Sequence, residues 1–95
     1  MGGKRIVSGF VQANGTSVST DFTSVRTAQG RYLVTFNSAF SSDPVVLAEQ
    51  MTDNEAGIII YSTATYDVSA DHFRVKIALS SNFYYKSFGF IAVER

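Results

Sequence analysis

The sequence predicts an all-β fold, a small antiparallel β-sandwich of six or seven strands. Apolar and polar residues alternate with a period of two along most of the chain, as they do in strands with one buried face. β-branched and aromatic residues fill these segments, and Gly, Asn, Asp and Ser separate them. Such segments at intervals of about 8–12 residues are typical of sandwiches and barrels. We expect residues 1–95 to form one domain, with residues 1–4 disordered or foreign to it.

The clearest strand runs from His72 to Leu79, because its even-numbered and odd-numbered positions differ sharply in polarity. Phe73 and Val75 begin the apolar side of this segment, and Arg74 lies on the polar side. The full set of strands is predicted at about 4–12, 17–26, 31–37, 45–50, 57–66, 72–79 and 87–94.

Turn residues separate the predicted strands. Asn14-Gly15 is a hairpin signal, and Gly30 supplies a positive φ for a second turn. Asn14 also opens a glycosylation sequon with Gly15 and Thr16, but the turn accounts for the same residues. A helix is the alternative for Val45–Met51; we prefer a strand because the segment is short, starts with β-branched residues and follows Pro44.

The composition indicates a domain that gains stability from other copies of itself. A domain this small commonly needs disulfides, a metal or oligomerisation, and the chain has no Cys and one His. Ile58-Ile59-Ile60 is apolar on both faces of a predicted strand, as if a neighbouring subunit covered the second face. We therefore expect a homo-oligomer.

The charge balance excludes one class of partner. Eight Lys and Arg residues match eight Asp and Glu residues, so no basic field attracts nucleic acid. No apolar run is long enough to span a membrane, and the N-terminal segment lacks the apolar region of a signal peptide. The sequence leaves the compartment open.

No catalytic, metal or cofactor site is predicted. His72 follows Asp71 and the chain is rich in Ser, but alternation places His72 on the solvent side and no nucleophile-elbow motif occurs. The acidic residues fall mostly in predicted turns, where Asp is a turn former. The oxygen-rich cluster at 53–55 lacks the ligand spacing of an EF-hand, so calcium is the weaker interpretation there.

The segment 80–86 is the best candidate for ligand binding. It contains three consecutive aromatic residues beside small polar ones, in a predicted loop between the last two strands. A Tyr ring offers an apolar face and a hydroxyl, which suits a sugar. Alternatively, the rings cap the core or fill a subunit interface. The candidate carbohydrate-binding residues are Asn82, Tyr84, Tyr85, Lys86 and Asp53.

Three segments resemble known families. The run Gly30-Arg31-Tyr32-Leu33-Val34-Thr35-Phe36, continued by Ala39-Phe40 and Pro44-Val45-Val46, resembles C-terminal modules of bacteriophage tail fibres and, more loosely, H-type lectins. Phe88-Gly89-Phe90-Ile91-Ala92-Val93 is similar to the closing strand of both families, and Phe73-Arg74-Val75 to a strand between them. The resemblance covers roughly residues 30–95 and consists mostly of core and turn positions.

The resemblance implies a trimeric sandwich that binds a glycan or cell-surface receptor, located in a virion tail fibre or outside the cell. The H-type lectins carry a His and a Trp around their last loop, whereas this chain has Asn82-Phe83-Tyr84-Tyr85 there. Their sugar specificity therefore does not carry over. The alternative function is a structural module that trimerises or caps a fibre and has no ligand of its own.

Overall fold

The computed structural model describes residues 4–50, 62–79, 82–83 and 86–95, with the side chains of 79, 82 and 83 left aside. Every strand pairing is antiparallel, and the described residues contain no helix, so the all-β prediction is confirmed. The strands are β1 (Ile6–Val11), β2 (Phe22–Ala28), β3 (Arg31–Phe36), β4 (Val45–Gln50), β5 (Ser62–Tyr66), β6 (His72–Leu79), β7 (Asn82–Phe83) and β8 (Phe88–Val93).

The strands form two sheets. The smaller sheet has three strands in the order β1-β8-β4, and the larger has the order β2-β3-β6-β5, with the two-residue strand β7 added beside β6. Strand β8 is thus central in the smaller sheet, where Ile91 lies opposite Ser8 on one side and Leu47 on the other. The two-sheet arrangement agrees with the predicted sandwich, whereas the predicted trimer stays a prediction.

The core lies between the sheets because alternate residues of both point inward. Five aromatic rings follow one another through it: Phe22 and Phe73 each contact Phe90 at a centroid distance of 4.9 Å, and Phe36 links Phe73 to Phe40. Edge-to-face packing of this kind adds about 0.5–1.5 kcal/mol per pair to simple burial. The buried apolar side chains are Val7, Val11, Phe22, Tyr32, Val34, Phe36, Phe40, Val46, Phe73, Val75, Ile77, Phe88, Phe90 and Ala92.

Gly9 makes room for this aromatic packing. It lies between the buried residues Val7 and Val11 on the inner side of β1. The ring of Phe22 fills the space that a side chain at this position would need. The sequence therefore uses a glycine in mid-strand, where it is otherwise unfavourable, to let a ring from the opposite sheet approach.

The strands predicted at 45–50 and 72–79 are observed with the same bounds. Residues 45–50 form strand β4 and not the helix that was the alternative there. The strand predicted at 17–26 was wrong at its start, because β2 begins only at Phe22. Val18 fits the alternating pattern of that segment, but its side chain is exposed and does not pack into the core. For the strand predicted at 57–66, residues 62–66 are confirmed; residues 57–61, with Ile58-Ile59-Ile60, lie outside the described residues.

The turn at Asn14-Gly15 has the expected local geometry but a different role. Gly15 has a φ of 94°, and the Asn14 side-chain oxygen accepts hydrogen bonds from the Thr16 backbone N–H and hydroxyl at 3.0 and 2.7 Å. It does not close a hairpin, because β1 and β2 belong to different sheets. The second turn is a true hairpin between β2 and β3, and Gly30 there has a φ of 70°.

Candidate functional site

One end of the sandwich gathers the connections that carry the predicted binding residues. We call it the loop end, because β1, β4 and β6 finish there and β5 and β8 begin there. The register shows this directly: Phe88, the first residue of β8, pairs with Val11 and Gln50, the last residues of β1 and β4. In the larger sheet, Ser62 at the start of β5 pairs with Ala78 near the end of β6.

The segment with four of the five candidate residues leaves β6 and enters β8 at the loop end. Asn82 pairs with Leu79 through its backbone, as part of the short strand β7. This strand is not predicted from the sequence, which indicated a loop over 80–86. The Lys86 backbone N–H donates a hydrogen bond of 3.3 Å to the Tyr32 hydroxyl. Tyr84 and Tyr85 lie outside the described residues.

Asp53, the fifth candidate, also lies outside the described residues, as does the whole 53–55 cluster, for which calcium binding is the weaker interpretation. The segment that contains it follows Gln50, the last residue of β4, and precedes Ser62, the first residue of β5. Both of these flanking residues are at the loop end. The two segments with candidate ligand residues are therefore attached to the same end of the sandwich.

Tyr32 joins two connections at this end. Its ring is fully buried and packs edge-on against Phe88, with 5.3 Å between the ring centroids. Its hydroxyl donates a 2.7 Å hydrogen bond to the Ala13 carbonyl and accepts the one from Lys86. A buried phenol usually finds such partners, and here they belong to the connections before β2 and before β8. The sequence drew attention to Tyr32 only as part of the resemblance motif.

A charged cluster occupies the turn between β5 and β6, at the opposite end of the larger sheet. His72 Nδ1 is 2.8 Å from Asp71 Oδ1, and His72 Nε2 is 3.2 Å from Asp67 Oδ2. Arg74 Nε donates a 3.0 Å hydrogen bond to the same Asp67 oxygen. The Ser69 hydroxyl donates to Asp71 at 2.8 Å. Asp67 adopts a φ of 53°, which Asp tolerates better than most residues.

The cluster favours a protonated imidazole. The hydrogen bond to Asp71, followed by the one to Asp67, raises the pKa of His72 above its usual 6.5 although partial burial opposes this. The Arg74 hydrogen bond, with that of His72, lowers the pKa of Asp67 below 3.8. The Ser69 and His72 hydrogen bonds lower the pKa of Asp71 in the same way. The groups therefore stabilise one another's charged forms.

This geometry differs from a Ser-His-Asp triad. In a triad the carboxylate binds one imidazole nitrogen and the serine hydroxyl binds the other. Here Ser69 Oγ lies 3.0 Å from His72 Nδ1, the nitrogen that also faces Asp71, and Nε2 faces the carboxylate of Asp67. The cluster thus orders the turn and offers no free basic nitrogen to a hydroxyl. Sequence reasoning identified the His72–Asp71 neighbours but missed Asp67 and Ser69, which the five-residue turn brings in.

No group of three or more His, Asp or Glu residues within 4–50, 62–79 and 86–95 is arranged to hold a metal ion. Asp67 and Asp71 illustrate why, since they bind opposite nitrogens of one ring. No helix in the described part of the chain is long and apolar enough to cross a membrane.

Comparison with known proteins adds no family to these observations. No protein-family model, no curated protein and no solved structure matches the chain. The resemblance to tail-fibre modules and H-type lectins therefore stays a prediction from the sequence.

Proposed function

We propose that this chain is a lectin-like binding module that takes a carbohydrate or cell-surface receptor at the loop end. The observation that carries the proposal is the attachment of both candidate segments, 51–61 and 80–85, to the same end of a two-sheet frame. Loops at one end of a rigid sandwich are a common place for binding residues. The resemblance supports the same interpretation and suggests a tail fibre of a virion, or an extracellular assembly, as the setting.

The residue types in these segments suit a sugar. Tyr84 and Tyr85 supply rings that can stack on the C–H face of a pyranose and hydroxyls that can bond to its rim. Asn82, Lys86 and Asp53 supply an amide, an ammonium and a carboxylate for the sugar hydroxyls. Single sites of this kind are weak, and two or more copies in one assembly would raise the avidity. The proposed role requires neither a catalytic residue nor a cofactor.

Binding to immobilised glycans and to intact bacterial cells tests the proposal. We expect Tyr84→Ala and Tyr85→Ala each to reduce binding by about tenfold or more, since a ring stacked in a binding site commonly contributes over 1 kcal/mol. Tyr66→Ala is the matched control, because Tyr66 pairs with Arg74 on β6, away from the loop end. Equal binding by the wild type and both loop variants would remove the site assignment.

The alternative is a structural module that trimerises or caps a fibre and binds nothing else. It is favoured by the exposed apolar side chains on the outside of the smaller sheet, among them Leu47 and Ile91. Sedimentation, run beside the glycan and cell assays, separates the two functions. An oligomer that binds no glycan and no cell supports the structural role, whereas a binding-competent protein that loses binding with Tyr84→Ala supports the first.

A further inference from the structure

The outward side of the smaller sheet is unusually apolar. Within the three strands, alternation and register arrange its outward residues in three rows: Ile6-Val93-Val45, Ser8-Ile91-Leu47 and Phe10-Gly89-Glu49. We call these nine residues the small-sheet face. Its large apolar side chains are exposed: Ile6 57%, Phe10 47%, Val45 52%, Leu47 67% and Ile91 38%. An antiparallel sheet that faced water on this side would carry polar residues here.

The size of the face fits a contact with another protein. Three strands of six residues, spaced by about 4.8 Å with a rise of about 3.3 Å, cover about 300 Å² in projection. Apolar patches of that size on soluble monomers are often functional. They are smaller than the roughly 800 Å² per partner of a standard stable interface. We therefore expect a contact that forms and dissociates with concentration.

The shape of the small-sheet face is complementary to itself, because a groove lies on one side of β8 and an aromatic ring projects on the other. Beside Gly89 is an open groove of about 610 Å³, lined by residues 47–49 of β4 and 89–91 of β8. On the other side of Gly89, the exposed ring of Phe10 projects from β1. A second copy turned about an axis parallel to β8 places its β1 over β4 of the first. Each Phe10 ring then lies over the other copy's groove, beside the exposed Glu49 at its outer edge.

Charge supports the same arrangement. Lys4 precedes Ile6 by two residues, and Asp43 precedes Val45 by two, so alternation places both beside the same outward row. Both residues are exposed. Rotation about the axis along β8 brings Lys4 of each copy opposite Asp43 of the other, which gives two ion pairs at one rim. They flank Arg95, which continues the same row on β8, and they outnumber the single like-charge contact between the two Arg95 residues. The chain has no net charge that would oppose self-association.

We propose that the small-sheet face pairs with the same face of a second copy of this chain. The contact is isologous, with a two-fold axis along β8, Phe10 in the partner's groove and Lys4 opposite the partner's Asp43. The strands of two sheets packed in this way lie within about 30° of each other. The inference does not depend on the proposed receptor site, because the loop end remains open in the pair.

Sedimentation equilibrium from about 1 µM to 1 mM tests the pairing, since a contact of this size should dissociate in that range. We expect a reversible dimer. Leu47→Asp should weaken it by about tenfold or more, because a carboxylate would be buried in the contact. Val25→Asp is the matched control, as Val25 is an equally apolar, exposed strand residue on the larger sheet. A monomer at all concentrations, or a dimer unaffected by Leu47→Asp, would overturn the proposal.

Exchanging the charges of Lys4 and Asp43 tests the proposed two-fold axis along β8. Lys4→Asp and Asp43→Lys should each weaken the dimer, and the double variant should regain most of the lost affinity. A trimer, or a double variant no better than the single ones, would contradict the two-fold arrangement. Another part of the same chain could cover the small-sheet face instead of a second copy. Thermal unfolding of dilute Leu47→Asp protein distinguishes the two arrangements. A large loss of monomer stability would mean that the same chain covers the face, and this too would overturn the proposal.

Discussion

The outer faces of the two sheets differ in chemistry, although both sheets pack their inner faces into one core. Outward positions of β6 carry His72, Arg74 and Lys76, and the Lys76 ammonium lies 5.3 Å from the ring centroid of Tyr66 on β5. Outward positions of β8 and β4 instead carry residues such as Ile91 and Leu47. Alternation determines which side chains point outward, and the polarity of those side chains indicates whether the face contacts water or protein.

Substitutions in the core that the two sheets share should cost the most stability. Phe73 is fully buried and contacts Phe36 and Phe90, so Phe73→Ala should lower the free energy of unfolding by about 3–5 kcal/mol. Urea unfolding followed by circular dichroism measures it. A cost below about 1 kcal/mol would mean that Phe73 does not connect the sheets as described.

Substitutions at two glycines should show that the inner and outer sides of the smaller sheet have different roles. Gly9→Val should cost about 1–3 kcal/mol of stability, because the new side chain collides with the Phe22 ring in the core. Gly89→Val lies on the small-sheet face opposite Phe10 and should leave the monomer's stability within about 0.5 kcal/mol. It should weaken self-association, since it narrows the groove. Thermal unfolding at low concentration and sedimentation report the two effects separately.

A milder pair of substitutions compares the two outer faces directly. Leu47→Thr should weaken self-association by several-fold, whereas Val25→Thr on the larger sheet should leave it unchanged. Both residues are exposed, so neither change should alter the stability of the isolated monomer by more than about 0.5 kcal/mol. Equal effects of the two variants on sedimentation would show that the faces do not differ in this respect.

The larger sheet alone should give the protein a weak dependence of stability on pH. The raised pKa of His72 means that its contribution to stability is present below its usual 6.5 and is lost as the pH rises through the raised value. Asp67 and Asp71 have lowered pKa values, so their contribution is present above 3.8 and is lost in acid. The cluster is therefore most stabilising between these limits.

Thermal unfolding at about pH 5.5 and about pH 8.5 measures this dependence, because histidine is the side chain that titrates there and the chain has one His and no Cys. We expect a slightly higher midpoint at the lower pH for the wild type. His72→Gln should remove most of the difference. A wild-type midpoint that is higher at the alkaline pH would contradict the assigned direction.

Local pattern was enough to predict most of the strands. β6 is the clearest case, since strict alternation gave its bounds at 72–79 without knowledge of its neighbours. The residues of the resemblance motif, such as Tyr32 and Phe36, proved to be core positions, and Gly30 a turn position. Whether a residue faces the core or forms a turn depends mainly on its neighbours in the sequence, so both can be predicted from the sequence alone.

Long-range pairing could not be predicted in the same way. Asn14-Gly15 correctly indicated a turn, but nothing local shows that the chain passes there from one sheet to the other. The same applies to the small-sheet face, because Ile6, Leu47 and Ile91 come together only when three distant strands pair. For the candidate site, Lys86 and the backbone of Asn82 are placed, whereas Asp53, Tyr84 and Tyr85 lie beyond the described residues.

The central place of β8 in the smaller sheet has a consequence for the timing of folding. Ile6 in β1 pairs with Val93 in β8, and β4 pairs with the other edge of β8. Neither strand can form these pairs until β8 has left the ribosome. Such distant contacts slow folding and prolong the exposure of unpaired strands. The apolar side chains of β1 and β4 therefore make the nascent chain most prone to aggregation just before β8 is synthesised.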